Sequence, residues 1–80
     1  MGEPGTHKKH IEFLEVNHMN PKGKTCVWFV YSLDRIQLGI IKWKSQWRQY
    51  CFFPESDTLY NAGCLNDIAD FMKENRGRRQ

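Results

Sequence analysis

The sequence predicts an α+β domain, a four-stranded antiparallel sheet run as a meander with one C-terminal helix packed on one face. Three observations carry this. Four runs of strand length, rich in Val, Ile, Phe, Tyr and Trp, are separated by Pro, Gly and Asp turn signals. One segment near the C-terminus repeats its apolar residues at helical spacing between an Asn and a Gly able to cap it. At 80 residues and 9.6 kDa the chain is one domain, of a size where a single core only just outweighs the entropy of ordering the chain.

Residues 1–9, rich in Gly, Pro and charge, read as a flexible N-terminal tail. His10 to Met19 carries the β-branched and aromatic content of a first strand, and Asn20-Pro21-Lys22-Gly23 is a turn signal because Pro fixes φ and Gly accepts a positive one. Lys24 to Leu33 holds the apolar run Cys26-Val27-Trp28-Phe29-Val30-Tyr31, which suits a central strand. After the turn Ser32-Leu33-Asp34-Arg35, Ile36 to Lys44 forms a third strand with Gly39 inside it, the mark of a bulge or of a large side chain lying across the backbone. Trp47 to Phe53 is the fourth, stopped by Pro54.

A short extended piece, Thr58-Leu59-Tyr60, leads into a helix from about Gly63 to Asn75. Asn61 or Gly63 can cap its start and Gly77 can take the left-handed position after its end, while Lys73 and Arg76 complement the helix dipole. Leu65, Ile68, Ala69 and Met72 form the apolar stripe, widened by Phe71. The single α+β domain therefore spans residues 10–76, and residues 77–80 are a basic C-terminal tail.

Side-chain parity decides what the uncovered sheet face displays. An even loop between the third and fourth strands sets Trp43 opposite Arg48, Ile41 opposite Tyr50 and Phe52 across Gly39, leaving Leu38, Ile40, Lys42, Gln49, Cys51 and Phe53 on the other face. An odd loop would pair Trp43 with Trp47; the even register is preferred because it lays a Phe ring on the glycine and an Arg beside an indole. The expected core is Val27 or Trp28, Phe29 or Val30, Ile41, Trp43, Tyr50, Phe52, Leu65, Ile68 and Met72.

Composition narrows the function classes. Forty per cent hydrophobic and 26% charged residues describe a folded domain rather than a disordered chain, and a net charge of +3 permits an anionic partner without demanding one. Cys26, Cys51 and Cys64 are too few and too widely spaced for a disulfide framework or a zinc knuckle, so no cofactor or metal is expected and a reducing, cytoplasmic location is the simpler reading. No apolar run reaches the roughly 20 residues of a membrane span, and no membrane partner is expected. Catalysis has little support: Cys64 lies near a helix N-terminus without an evident base, and Asp67 and Asp70 share a helix face without an evident pocket.

The densest signal is Trp43 to Pro54, where aromatic and basic side chains interleave. Lys42, Lys44, Trp47 and Arg48, with Tyr50, make a candidate nucleic-acid surface in which rings stack on bases and cations follow phosphates, and Arg76, Arg78 and Arg79 make a supplementary electrostatic arm. The plainer reading stands beside it: Trp43, Tyr50 and Phe52 are core, and the lysines a solvated hairpin tip.

Three stretches carry a resemblance. Leu38-Gly39-Ile40-Ile41-Lys42-Trp43, then Trp47-Arg48-Gln49-Tyr50-Cys51-Phe52-Phe53-Pro54, then Cys64-Leu65-Asn66-Asp67-Ile68-Ala69-Asp70-Phe71 resemble a family of small uncharacterised proteins of bacteria and their phages, over roughly Lys24 to Asn75. The resemblance implies an intracellular accessory protein encoded on a phage or other mobile element, and transfers no activity or site residue. The expected function is a small non-enzymatic binding module contacting single-stranded DNA or RNA. The alternative is a protein-interaction or inhibitory factor acting on a host protein. Either suits a monomer or a homodimer.

Overall fold

Each strand pairs with its neighbour in sequence, so the sheet is an antiparallel meander. In the computed structural model, which describes residues 5–7, 10–16 and 25–77, the strands are β1 (Gly5–His7), β2 (Ile11–Glu15), β3 (Trp28–Ser32), β4 (Gln37–Lys44) and β5 (Gln49–Pro54), in that spatial order, followed by helix α1 (Ala62–Glu74). The α+β class, the antiparallel meander and the C-terminal helix are as the sequence predicts. The four expected strands are β2 to β5, and a fifth, three-residue strand adds to one edge: Gly5–His7, inside the expected tail, pairs with β2 through Thr6↔Phe13. The expected turn at Asn20–Gly23 lies outside the described residues.

One face of the sheet is buried under α1. Alternation along β2, β3 and β4 sends Ile11, Phe13, Trp28, Val30 and Ile41 to that face, all nearly inaccessible. Phe71 anchors the helix there, stacked on Phe13 with ring centroids 3.9 Å apart and edge-on to Trp28 at 5.1 Å. Trp28 in turn meets Tyr50, and Tyr50 meets Trp43, both edge to face. The Tyr50 hydroxyl accepts the buried Cys26 N–H at 2.9 Å, so the one polar atom of that tyrosine ring satisfies a backbone donor that the core would otherwise leave without water.

The helix is rotated from the expected stripe. Ile68 and Phe71 are its buried residues, with Cys64 and Met72 packed beside them, whereas Leu65 is half exposed and outside the core. Rotating the stripe toward Phe71 brings the larger ring against Phe13 and Trp28, which buries more apolar area than Leu65 could. The start is capped by Asn61, whose side-chain oxygen accepts the Cys64 N–H at 2.8 Å. The end is capped by Asn75 rather than by a left-handed Gly77: the Asn75 backbone N–H and side-chain amide both donate to the Phe71 carbonyl, and no glycine among the described residues has a positive φ. His10 ties the N-terminal half of the helix to the sheet, its backbone N–H donating to Asp67 Oδ2 at 2.8 Å.

Gly39 meets both conditions a strand glycine can mark. The β3–β4 ladder slips between Val30↔Gly39 and Tyr31↔Gln37, so Leu38 is the extra residue of a bulge and turns into the core instead of lying with Ile40. Next to it the Phe52 ring and the Phe53 carbonyl lie so close to Gly39 that a Cβ would stand 2.4 Å from the carbonyl oxygen and 2.7 Å from the ring.

The β4–β5 register differs from the expected one by two residues and keeps its parity. Trp43 pairs with Tyr50 and Ile41 with Phe52. The slip comes from the turn: the Lys44 carbonyl accepts N–H groups from both Trp47 and Arg48, closing Ser45 to Arg48 into a loop whose last residue, Arg48, has φ 55°. A longer turn therefore consumes Trp47 and Arg48, which were expected in the strand. Parity survives because the shift is even.

Candidate nucleic-acid interface

The hairpin tip places two expected residues in contact. Trp47 is 62% exposed, and the Lys44 ammonium stands 5.5 Å from the centre of its ring, within the range of a cation–π contact. Trp47 also forms one wall of an open groove of about 530 Å³ between β5 and α1, whose other lining includes Gln49, Ala69, Met72, Lys73 and Arg76. Helix packing thus brings Arg76 to the same groove as Trp47, although the two are far apart in the chain. Lys73 joins them; its position in the last turn of the helix explained it as a dipole partner, and nothing local marked it for this groove.

The remaining expected residues divide. Arg48 is exposed in the turn and is not among the residues lining the groove. Tyr50 lines the floor of the groove on β5 but offers little surface: the residue is 5% exposed within the aromatic core and its hydroxyl accepts the Cys26 N–H. Trp43 and Phe52 likewise pack against the core. Lys42 is exposed on the opposite sheet face, with its ammonium 4.9 Å from the centre of the Phe53 ring. Arg78 and Arg79 lie outside the described residues.

That uncovered face carries more aromatic surface than the sequence predicts for it. Leu14, Phe29, Ile40 and Phe53 stand in register across β2, β3, β4 and β5, a single apolar row running over the sheet. Leu14 and Phe53 are exposed, Phe29 and Ile40 half-buried. Tyr31 stands two residues from Phe29 on β3, their ring centroids 6.4 Å apart. The signal for Phe29 and Tyr31 was their alternation with the buried Trp28 and Val30. It was masked by the near-continuous apolar run, which leaves the inward set of a strand undecided.

Other chemistry gains no support from the geometry. Among the described residues no three His, Cys, Asp or Glu side chains come together as metal ligands. The His10 ring lies against Gly63 and Asp67, with Nδ1 3.3 Å from Asp67 Oδ2, so its polar contact is with the helix carboxylate. Cys26 is buried, and Cys51 and Cys64 are half-buried. No helix among the described residues is long and apolar enough to cross a membrane. Comparison of the chain with protein-family models, curated proteins and solved structures found no match.

Proposed function

We propose that this chain is a non-enzymatic module that binds single-stranded DNA or RNA, with the β4–β5 hairpin tip and the adjoining helix end as its electrostatic contact. One observation carries the reading: Trp47, 62% exposed, stands beside the Lys44 ammonium and shares its groove with Lys73 and Arg76. A large indole left in water by a domain short of core is poorly explained by stability. An exposed ring with one cation beside it and two more lining its groove suits stacking on a base while phosphates are neutralised. Arg48, exposed in the turn, adds to the positive charge, and the sequence carries two further arginines at positions 78 and 79. The resemblance to proteins of bacteria and their phages fits a cytoplasmic accessory role.

The test is fluorescence anisotropy of labelled single-stranded DNA, single-stranded RNA and duplex DNA, titrated at low and near-physiological salt. Micromolar or tighter binding that weakens as salt rises is the expected result. No binding to any of the three at low salt would refute it. A second reading, a host protein bound by strand addition, is favoured by the outermost position of β5 in the sheet. It predicts capture of a protein partner that survives charge reversal at Lys44, Lys73 and Arg76.

A further inference from the structure

The sheet face away from α1 meets the hairpin tip only at Lys44. It presents three rings, Phe29, Tyr31 and Phe53, of which Phe53 is 37% exposed, together with the exposed Lys42 whose ammonium flanks the Phe53 ring. Phe29 and Phe53 stand in one cross-strand row with Ile40 between them, which sets the two rings roughly 9–10 Å apart by the spacing of strands. Phe29 and Tyr31 are 6.4 Å apart along β3.

We infer that this face is a base-stacking platform for single-stranded nucleic acid, with Phe29, Tyr31 and Phe53 each taking a base and Lys42 a phosphate. The inference rests on the nucleic-acid reading above and adds a second surface and a strand selectivity to it. Spacing supplies the selectivity. Phe29 and Tyr31 stand 6.4 Å apart with their planes inclined by 64°, against roughly 3.4 Å per nucleotide along one strand of a duplex, so neighbouring bases must unstack and tilt apart to use both rings. A single strand unstacks readily, whereas a duplex would have to give up its own stacking and pairing.

Charge separates this occupant from a second copy of the chain. Among the described side chains of β2 to β5 the face carries the cations Lys42 and Lys44 against one acid, Glu12, and the Glu12 carboxylate already meets Arg35 at 3.8 Å. Two such faces packed together would oppose like charges, while a polyanion meets cations. Lys42 and Lys44 alternate along β4, so a strand leaving the Phe53 ring can follow them to Trp47 at the hairpin tip, which joins the two surfaces into one path.

The experiment uses the full chain with labelled thymidine and uridine homo-oligomers and a duplex of equal length, and compares Tyr31→Thr, Phe53→Leu, Lys42→Gln and Trp47→Ala. Phe53→Leu keeps apolar bulk and Tyr31→Thr keeps strand propensity, so the fold is retained, and thermal melting verifies it. Each ring variant should weaken single-strand binding by about 5- to 150-fold, the range of one base stack, with the salt dependence unchanged because a ring carries no charge. Lys42→Gln should instead lower the slope of log affinity against log salt by about 0.7, the contribution of one phosphate contact on a single strand. Single-strand binding lost in Trp47→Ala but unaltered in Tyr31→Thr and Phe53→Leu would overturn the inference and leave the hairpin reading standing. Binding to none of the oligomers would overturn both. Self-association of the wild type that vanishes in Phe53→Leu would assign the face to a second copy and overturn the inference.

Discussion

Gly39→Ala sets two physical effects against each other, and the structure decides between them. On propensity alone the change should help, since a glycine within a strand costs about 0.5–1 kcal/mol relative to alanine. The added methyl would meet the Phe53 carbonyl oxygen at 2.4 Å and the Phe52 ring at 2.7 and 2.8 Å, against an optimum near roughly 3.5–4 Å. The ring can rotate away, but the carbonyl has less freedom. The Glu55 N–H donates to the Leu38 carbonyl at 2.8 Å, and antiparallel pairs alternate, so the Phe53 and Ile40 peptide groups face each other and share the next ladder bonds. Moving the carbonyl strains a bond worth about 1 kcal/mol net, added to the roughly 1–3 kcal/mol typical of overpacking. Subtracting the propensity gain leaves a destabilisation of about 2 kcal/mol. For a domain of this length that is a fall in Tm of about 8–16 °C. Urea denaturation and thermal melting followed by tryptophan fluorescence measure it. In a Phe52→Leu background the ring part of the clash is relieved and the carbonyl part is not, so Gly39→Ala should still destabilise. A Gly39→Ala protein as stable as the wild type would refute the close approach of β5 to Gly39 and the register built on it.

Other perturbations test the core, the cap and the candidate surface. Phe71→Ala should cost about 3–5 kcal/mol, a large part of the total stability of about 4–12 kcal/mol expected at this size, and circular dichroism should show loss of cooperative melting. Leu65→Gln, on the exposed side of the same helix, should move stability by no more than about 0.5 kcal/mol; a core-sized loss there would mean the helix is rotated the other way. Asn61→Ala removes the acceptor of the Cys64 N–H and should lower stability by about 1 kcal/mol in chemical denaturation. Replacing Lys73 and Arg76 together by Gln should leave the melting temperature near wild type. The same change should reduce the salt slope of single-strand binding by about 1.4, for two phosphate contacts.

Much of this architecture was legible in the chain because it depends on neighbours in sequence. The runs around Phe13, Trp28, Ile41 and Phe52 have strand composition, Asn61 and the apolar residues after it have helix grammar, and Pro54 ends the fourth strand where it was expected to. The parity of β4 and β5 was also readable, since Gly39 and Phe52 recognise each other and alternation carries their faces along both strands. Alternation, capping and turn chemistry have local consequences, and local rules act before any tertiary contact exists.

The rest was decided where distant segments meet. The two-residue slip between β4 and β5 depends on which carbonyl closes the turn, and the Lys44 carbonyl takes two donors, Trp47 and Arg48 N–H. Leu38 enters the core through a bulge that exists only because β3 and β4 fall out of step. The choice of Phe71 over Leu65 as the helix anchor belongs to the shape of the Phe13–Trp28 surface it must fill. So does the candidate site: Trp47 and Arg76 share a groove because the helix packs back beside β5, while Lys42 sits on the far face with Phe53 because alternate side chains of a strand point to opposite sides. Sequence alone determined four of the five strands and the helix; packing determined the edge strand β1, the register, the covered face and the residues that stand together, since those are set by contacts between remote parts of the chain.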